Sequence, residues 1–484
     1  MSQKPSLYIG PLLFVLLGLI NPFGLDSEAA RVIGVVAWML AWWISEIVPM
    51  AVTALLPIVL FPLCGVLTIE EACQPYGDRM VFLFLGGFLI ALSMEKWGLH
   101  RRIALHIIHV FGASANRIIF GFLFACFVIS MWISNTATAL MMFPIATSVV
   151  GLLLVNEKYG TPKDRKNFST SIMLSIAYGS SIGGIATIIG SPPNGAMKAY
   201  LESEHHITVS FFDWMKIGLP FATILLLVVY LVIVKMVFPN KLGRLDMHSD
   251  VISDELKLLG PWRYAEKVTF GIFLTAATLW IAQDLILSVF PNLGITDVGI
   301  AIFCGLLLFF FPSKSTASVQ VLEWKDTQKL HWGVLLMFGG GLSLAKAFKS
   351  SGLLESLTAK VDFLSSMDTF SFLVLLCLAG LILTALMSNL AMVNIFVPVV
   401  ATIALGLGLP PELFAIPVTI AASCDFMFPM STPPNAIAYS SGLVKARDMF
   451  KAGIFLNIFS LILLSGMVWL MLYFLTQNPH WDSR

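Results

Sequence analysis

The residues best suited to hold a small cation or an anion occur twice. Ser134-Asn135-Thr136 and Ser388-Asn389-Leu390 stand 254 residues apart, each inside an apolar run. Each is followed by a second polar element, Gly190-Ser191-Pro192-Pro193-Asn194 in the first half and Ser431-Thr432-Pro433-Pro434-Asn435 in the second, 241 residues apart. Hydroxyls and carboxamides supply neutral oxygens and N–H donors, an inventory that suits a hard cation beside a carboxylate. Each proline pair removes two backbone donors and pushes the preceding residue out of the helical region. Duplicated helix-breaking polar elements in an apolar chain point to a substrate site formed between the repeats of a secondary transporter.

Membrane spans must carry these elements. Of 484 residues, 58% are hydrophobic and 12% charged, with a mean hydropathy of +0.88, whereas a soluble domain is about 25% charged. Runs of the roughly 20 residues that a spanning helix needs fall at 7–24, 32–45, 49–67, 80–97, 168–199, 213–237, 268–290, 296–312, 332–349, 411–440 and 453–475. Two further runs, 118–155 and 370–408, are too long for one helix, and each is interrupted by its Ser-Asn pair. They read as re-entrant hairpins. The expected fold is an all-α polytopic membrane protein built from inverted repeats, with about 11 transmembrane helices plus two re-entrant helical hairpins. Each half runs from a glycine-rich span (Phe84-Leu85-Gly86-Gly87-Phe88, then Phe338-Gly339-Gly340-Gly341) through a hairpin to a broken span. The glycines read as packing residues.

Loop charge gives the sidedness, because Lys and Arg gather on the cytoplasmic side. Inner loops hold Lys158, Lys163, Arg165 and Lys166, with Lys241, Arg244 and Lys257 in the linker; outer loops hold Glu70, Glu71, Asp78, Glu202, Glu204, Asp213, Glu355 and Asp362. This places the N-terminus inside, the C-terminus outside, and the halves inverted. A formal charge of +1 without a long basic run gives no case for nucleic acid. Six cysteines without CxxC spacing support neither a disulfide framework nor a zinc site. No GxxxxGK[ST] loop is present to drive a pump, and no acid, base and nucleophile converge as an enzyme would require. His205-His206 beside Glu204 reads as a solvated loop pair, and Lys346 and Lys349 as snorkelling side chains.

On these motifs, together with Ser45-Glu46-Ile47-Val48-Pro49 and Ala51-Val52-Thr53-Ala54-Leu55-Leu56-Pro57, the chain resembles the divalent anion/sodium symporters, carriers of dicarboxylates, citrate and sulfate, over nearly its whole length. The resemblance implies a homodimer in the inner membrane, each protomer pairing a scaffold with a transport domain that moves like an elevator. Residues 1–117 and 268–369 would form the scaffold, 118–237 and 370–484 the transport domain, and 238–267 a cytoplasmic linker. It implies Na⁺ as coupling ion at two sites, one of Ser130, Ser134, Asn135 and Gly190, the other of Thr384, Met387, Asn389 and Ser431. Substrate contacts would come from Ser134, Asn135, Thr136, Ser388, Asn389, Leu390, Thr432 and Pro433. The expected activity is sodium-coupled uptake of small di- or tricarboxylates, foremost C4 dicarboxylates such as succinate, malate or fumarate. Alternatives on the same fold are a sodium-independent exchanger or a sulfate carrier; from another class, an anion channel.

Two residues depart from this pattern. Leu390 stands where the first repeat has Thr136, which removes a hydroxyl from one end of the carboxylate pocket. Asp425, six residues before Ser431, is expected late in the half-helix leading into the break, where burial and the helix dipole both disfavour a charge. It is an ion or proton site, or a carboxyl satisfied by neighbours such as Ser423.

Overall fold

The computed structural model describes residues 6–22, 24–112, 114–155, 159–316, 318–353 and 367–477; Lys158, Glu355 and Asp362 lie outside them. The chain is mostly helical. Six helices among the described residues are long and apolar enough to cross a membrane: Ser27–Ser45, Ile69–Lys96, Phe211–Val237, Tyr264–Val289, Asn389–Gly406 and Ala446–Gln477. Tyr264–Val289 and Ala446–Gln477 face outward with apolar side chains, among them Leu285 and Val289 on the first and Ile458, Ile462 and Trp469 on the second. Such a surface belongs against hydrocarbon.

Helix starts follow local chemistry. Thr161 and Asp164 form a capping box at the head of Pro162–Ile185, and Asp78, Ser210, Thr296 and Asp368 cap the helices that follow them. The run 49–67 is not one span but two short helices, Met50–Thr53 and Leu56–Leu63. Pro57 lacks the N–H that would close the turn across Ala54-Leu55. Helices Leu99–Phe111 and Asp246–Leu259, and a small hairpin pairing Pro312–Ser315 with Ser318–Gln320, lie in segments without a long apolar run.

Both halves place the same elements in the same order. The first hairpin is Ala115–Ser130 and Asn135–Val155, followed by Pro162–Ile185 and Pro192–His205; the second is Thr369–Thr384 and Asn389–Gly406, followed by Pro411–Ala422 and Pro433–Ser440. Each leading half-helix packs on its own hairpin, while each trailing half-helix crosses over. Pro192–His205 packs against Asn389–Gly406, and Pro433–Ser440 against Asn135–Val155. The two repeats are therefore interlocked. The glycine-rich spans serve packing: a Cβ at Gly86 would enter the backbone of Ala301, and one at Gly340 the backbone of Ala54.

A buried ion-pair network ties this interlocked body to its neighbours. Lys198, 3% exposed, lies 2.6 Å from Asp297 on helix Asp297–Phe310 and 3.6 Å from Glu202, which also meets Arg79 at 2.9 Å. Glu202 is thus not an outer-loop residue, because the helix continues to His205. Arg102, in helix Leu99–Phe111, is likewise buried and paired with Glu266 at 2.7 Å. Removing one partner of a buried pair leaves an uncompensated charge and costs about 3–5 kcal/mol. Lys198→Ala should lower the melting temperature of the detergent-solubilised protein accordingly, and Lys198→Met with Asp297→Leu should recover most of the loss. An unchanged melting temperature for Lys198→Ala would contradict the pair.

Candidate functional site

The first hairpin turns at Met131–Ser134, and its motif residues are fixed by short polar contacts. The Ser130 hydroxyl donates to Asn135 Oδ1 at 2.6 Å, and the Ala137 N–H donates to Ser134 Oγ at 3.2 Å. Asn135 lies against Gly184, where an added Cβ would come 2.5 Å from its Oδ1. Only a residue without a side chain lets the carboxamide settle on this backbone. The break itself, Ala186–Ser191, is held from two sides. Thr187 donates to the Met131 carbonyl in the hairpin turn and accepts from the Gly190 N–H at 3.0 Å. The Asn194 amide nitrogen donates to the Gly184 and Thr187 carbonyls at 2.9 and 2.8 Å. Ser130, Asn135 and Gly190 are so gathered around Gly184, whereas Ser134 turns its hydroxyl to the helix start.

The second half repeats the plan. Thr384 Oγ1 lies 2.8 Å from Asn389 Oδ1 and 2.7 Å from the Ala422 carbonyl, with one proton to serve both. The Ala391 N–H donates to Ser388 Oγ at 3.2 Å. The Asn435 amide nitrogen reaches the Asp425 and Phe428 carbonyls at 3.2 and 3.1 Å, and Ser431 Oγ at 3.4 Å. Thr432 caps the last half-helix, accepting from the Asn435 N–H at 3.4 Å, and Pro433 is its first residue. Met387 sits in the hairpin turn, its N–H given to the Leu383 carbonyl. Thr384, Asn389 and Ala422 are brought together, as are Ser431, Asp425 and Asn435.

Two expectations change. Leu390 is 7% exposed and packs into the apolar core, whereas Thr136 is half-buried. Asp425 does not lie late in the half-helix. That helix ends at Ala422, because the Ser423 and Cys424 N–H groups turn to the carbonyls three residues back, Ile420 and Ala421. Asp425 therefore stands in the break. Lys349 pairs with Glu204 at 3.2 Å and Lys346 donates to Gln74, both at a cavity of about 670 Å³ lined also by Asp78 and Arg79. No motif residue lines that cavity. His205 faces the Tyr200 hydroxyl at 3.1 Å.

The residues present suit a hard cation. Oxygens of Asn194 and Asn435 and both oxygens of Asp425 are buried without a hydrogen-bond partner among the described residues, and the surrounding ligands are neutral hydroxyl, carboxamide and carbonyl oxygens. Ser191 and Thr432, each just before a proline pair, share an extended backbone, φ −140°, ψ 134° and φ −137°, ψ 149°. Each trailing half-helix therefore presents its positive end at its break. Sequence reasoning missed Tyr178, whose hydroxyl donates to the Phe426 carbonyl in the other half's break at 3.0 Å; nothing in a tyrosine within an apolar run signals that. It also missed Lys198, which the rarity of lysine at membrane depth does signal.

Comparison with known proteins agrees with this architecture. The family described as the sodium:sulfate symporter transmembrane region matches residues 6–475. A sodium-dependent dicarboxylate transporter of Staphylococcus saprophyticus is 36% identical over 483 residues, covering 98% of this chain and 91% of the relative. One from Staphylococcus aureus is 37% identical over 472 residues, covering 96% and 90%. Among solved structures, the YdaH transporter of Alcanivorax borkumensis superposes with a TM-score of 0.56 at 16% identity, covering 97% of both chains. MtrF of Neisseria gonorrhoeae superposes with a TM-score of 0.59 at 12% identity, covering 96% and 95%. At such identities the two structures speak for the fold alone. The chain belongs to the sodium:sulfate symporter family, the divalent anion/sodium symporters.

Proposed function

We propose that this protein is a secondary active transporter of a bacterial cell membrane that couples sodium entry to the uptake of small di- or tricarboxylates, C4 dicarboxylates foremost. The observation that carries this reading is the pair of matched polar clusters: hairpin Asn135 and Asn389, each bonded by the hydroxyl five residues before it, beside a break closed by Asn194 or Asn435. Its support from relatives is that two proteins 36% and 37% identical over nearly the full length are named sodium-dependent dicarboxylate transporters. In this reading Ser130, Asn135 and Gly190 hold one sodium together with Ser134, and Thr384, Asn389 and Ser431 hold another with the Met387 carbonyl. Sodium supplies positive charge at mid-membrane, and Ser134, Thr136, Ser388, Thr432 and the two asparagines orient the substrate carboxylates without an Arg or Lys in either motif.

The interlocked hairpins and broken spans, with Phe211–Val237 and Ala446–Gln477, would move as the transport body of an elevator against a scaffold of the remaining spans. Inverted repeats of about 11 spans in all, a cytoplasmic N-terminus, an external C-terminus and a homodimer complete the proposal. Binding of both ions before the anion would couple the steps, since the carboxylate meets its compensating charge only after they arrive.

Counter-flow separates this reading from a channel: unlabelled succinate inside proteoliposomes should accelerate entry of labelled succinate, and its failure to do so would point to a channel. Asn135→Ala and Asn389→Ala should each weaken sodium activation by roughly 5–150-fold, the worth of about 1–3 kcal/mol for a ligand lost and its neighbours orphaned. Wild-type sodium dependence in both variants would place the ions elsewhere. Thr136→Leu should raise the half-saturating succinate concentration by up to about tenfold, about one hydrogen bond to a charged acceptor. Leu390→Thr, entering a buried apolar setting, should change it little; the reverse order of effects would exchange the roles of the two positions.

A further inference from the structure

The two breaks follow one plan and differ at one position. Asn194 and Asn435 each reach back ten and seven residues, to Gly184 and Thr187 in the first half and to Asp425 and Phe428 in the second. Asp425 thus occupies the place of Gly184. At Gly184 a Cβ would enter the Asn135 carboxamide, the group that Ser130 bonds. The matching carboxamide of the second hairpin is Asn389, bonded by Thr384, whose hydroxyl also reaches the Ala422 carbonyl three residues before Asp425. Where the first half sets bare backbone against an asparagine, the second half carries a carboxylate.

That carboxylate is 1% exposed, and neither oxygen accepts a hydrogen bond from the described residues. Ser431 faces it but gives its proton to the Phe428 carbonyl 2.7 Å away. No ion pair reaches it among the described residues, although the other buried acids among them, Glu202, Glu266 and Asp297, each have a basic partner. A buried carboxylate without donors or a counter-charge is unstable as an ion. Ser431 Oγ stands at it, and the Asn435 carboxamide, whose nitrogen bonds the Asp425 backbone carbonyl and Ser431 Oγ, carries an oxygen that has no hydrogen-bond partner among the described residues. Carboxylate plus neutral oxygens, with no competing base, is the ligand chemistry of a hard cation.

We infer that Asp425 is a direct ligand of the cation at the second site, so that this site, unlike the first, binds sodium with a formal negative charge. The inference rests on the sodium-coupled reading above. Its consequence is that the two ions are not equivalent: the second site is neutralised on binding and fills at lower sodium, while the first keeps its positive charge for the substrate.

The test uses purified full-length protein without substrate, following sodium-dependent thermal stabilisation, and proteoliposome uptake alongside. Asp425→Asn should raise the sodium concentration for half-maximal stabilisation at least tenfold, with the sodium-free melting temperature unchanged or higher because a buried charge is gone. A fall in melting temperature at every sodium concentration with an unshifted midpoint would make Asp425 a structural residue and overturn the inference. Should Asp425→Asn not accumulate, the wild type still decides. Carbodiimide modification of Asp425, read by mass spectrometry, should be at least fivefold slower in sodium than in choline, and equal modification in both overturns the site. Sodium-independent uptake by the wild type would defeat the transport reading by itself, while sodium-shifted stabilisation and protection would continue to support the cation site.

Discussion

Backbone that stops being helical at bilayer depth leaves amides and carbonyls that hydrocarbon cannot satisfy, and in this chain two asparagines meet that demand. Asn194 and Asn435 sit at the heads of the trailing half-helices, just after the proline pairs that force each break, and each donates both amide hydrogens to carbonyls across it. The break is thereby closed into a rigid bridge with its two half-helices in fixed relation. The hairpins need this rigidity, since Thr187 hangs the first hairpin turn on the first break and Thr384 hangs the second hairpin on the end of Pro411–Ala422.

Rigidity inside each half would not by itself make one body of two. That comes from the crossing of the trailing half-helices onto the opposite hairpins and from Tyr178, which spans from the first broken span to the second break. A site assembled this way responds as a unit, because an ion that pulls on Asn135 pulls on Gly184 and, through Asn194, on the half-helix beyond. The Lys198 network sits where that body meets helix Asp297–Phe310, so movement of one against the other must separate or carry a buried ion pair.

Much of this was legible in the sequence because repetition multiplies weak signals. A lone Pro-Pro-Asn or Ser-Asn would be uninformative; two of each at near-constant spacing, in apolar runs of spanning length, fix the class, the order of elements and the positions of both breaks. What escaped has physical reasons. The run 49–67 has span-like composition, yet Pro57 divides it. The polarity of Glu202 suggested a loop, yet a partner three-dimensionally near and distant in sequence, Arg79, lets it stay buried in a helix. Asp425 was assigned to a helix end because the leading half-helix has no breaking residue there; the tightened last turn at Ser423-Cys424, a matter of hydrogen-bond geometry, moved it into the break. Leu390 aligns with Thr136 in sequence but not in environment, since Leu390 is buried in the apolar core while Thr136 is half-buried.

The central claim is that two oxygen-lined clusters couple sodium to anion movement. It is tested most directly by the steady level of labelled succinate inside proteoliposomes containing the purified protein, under an inward sodium gradient and under an equal choline gradient. The account predicts accumulation above the external concentration with sodium, collapse of that level when a sodium ionophore dissipates the gradient, and mere equilibration with choline. Equal accumulation in sodium and choline, or equilibration in both, would contradict it.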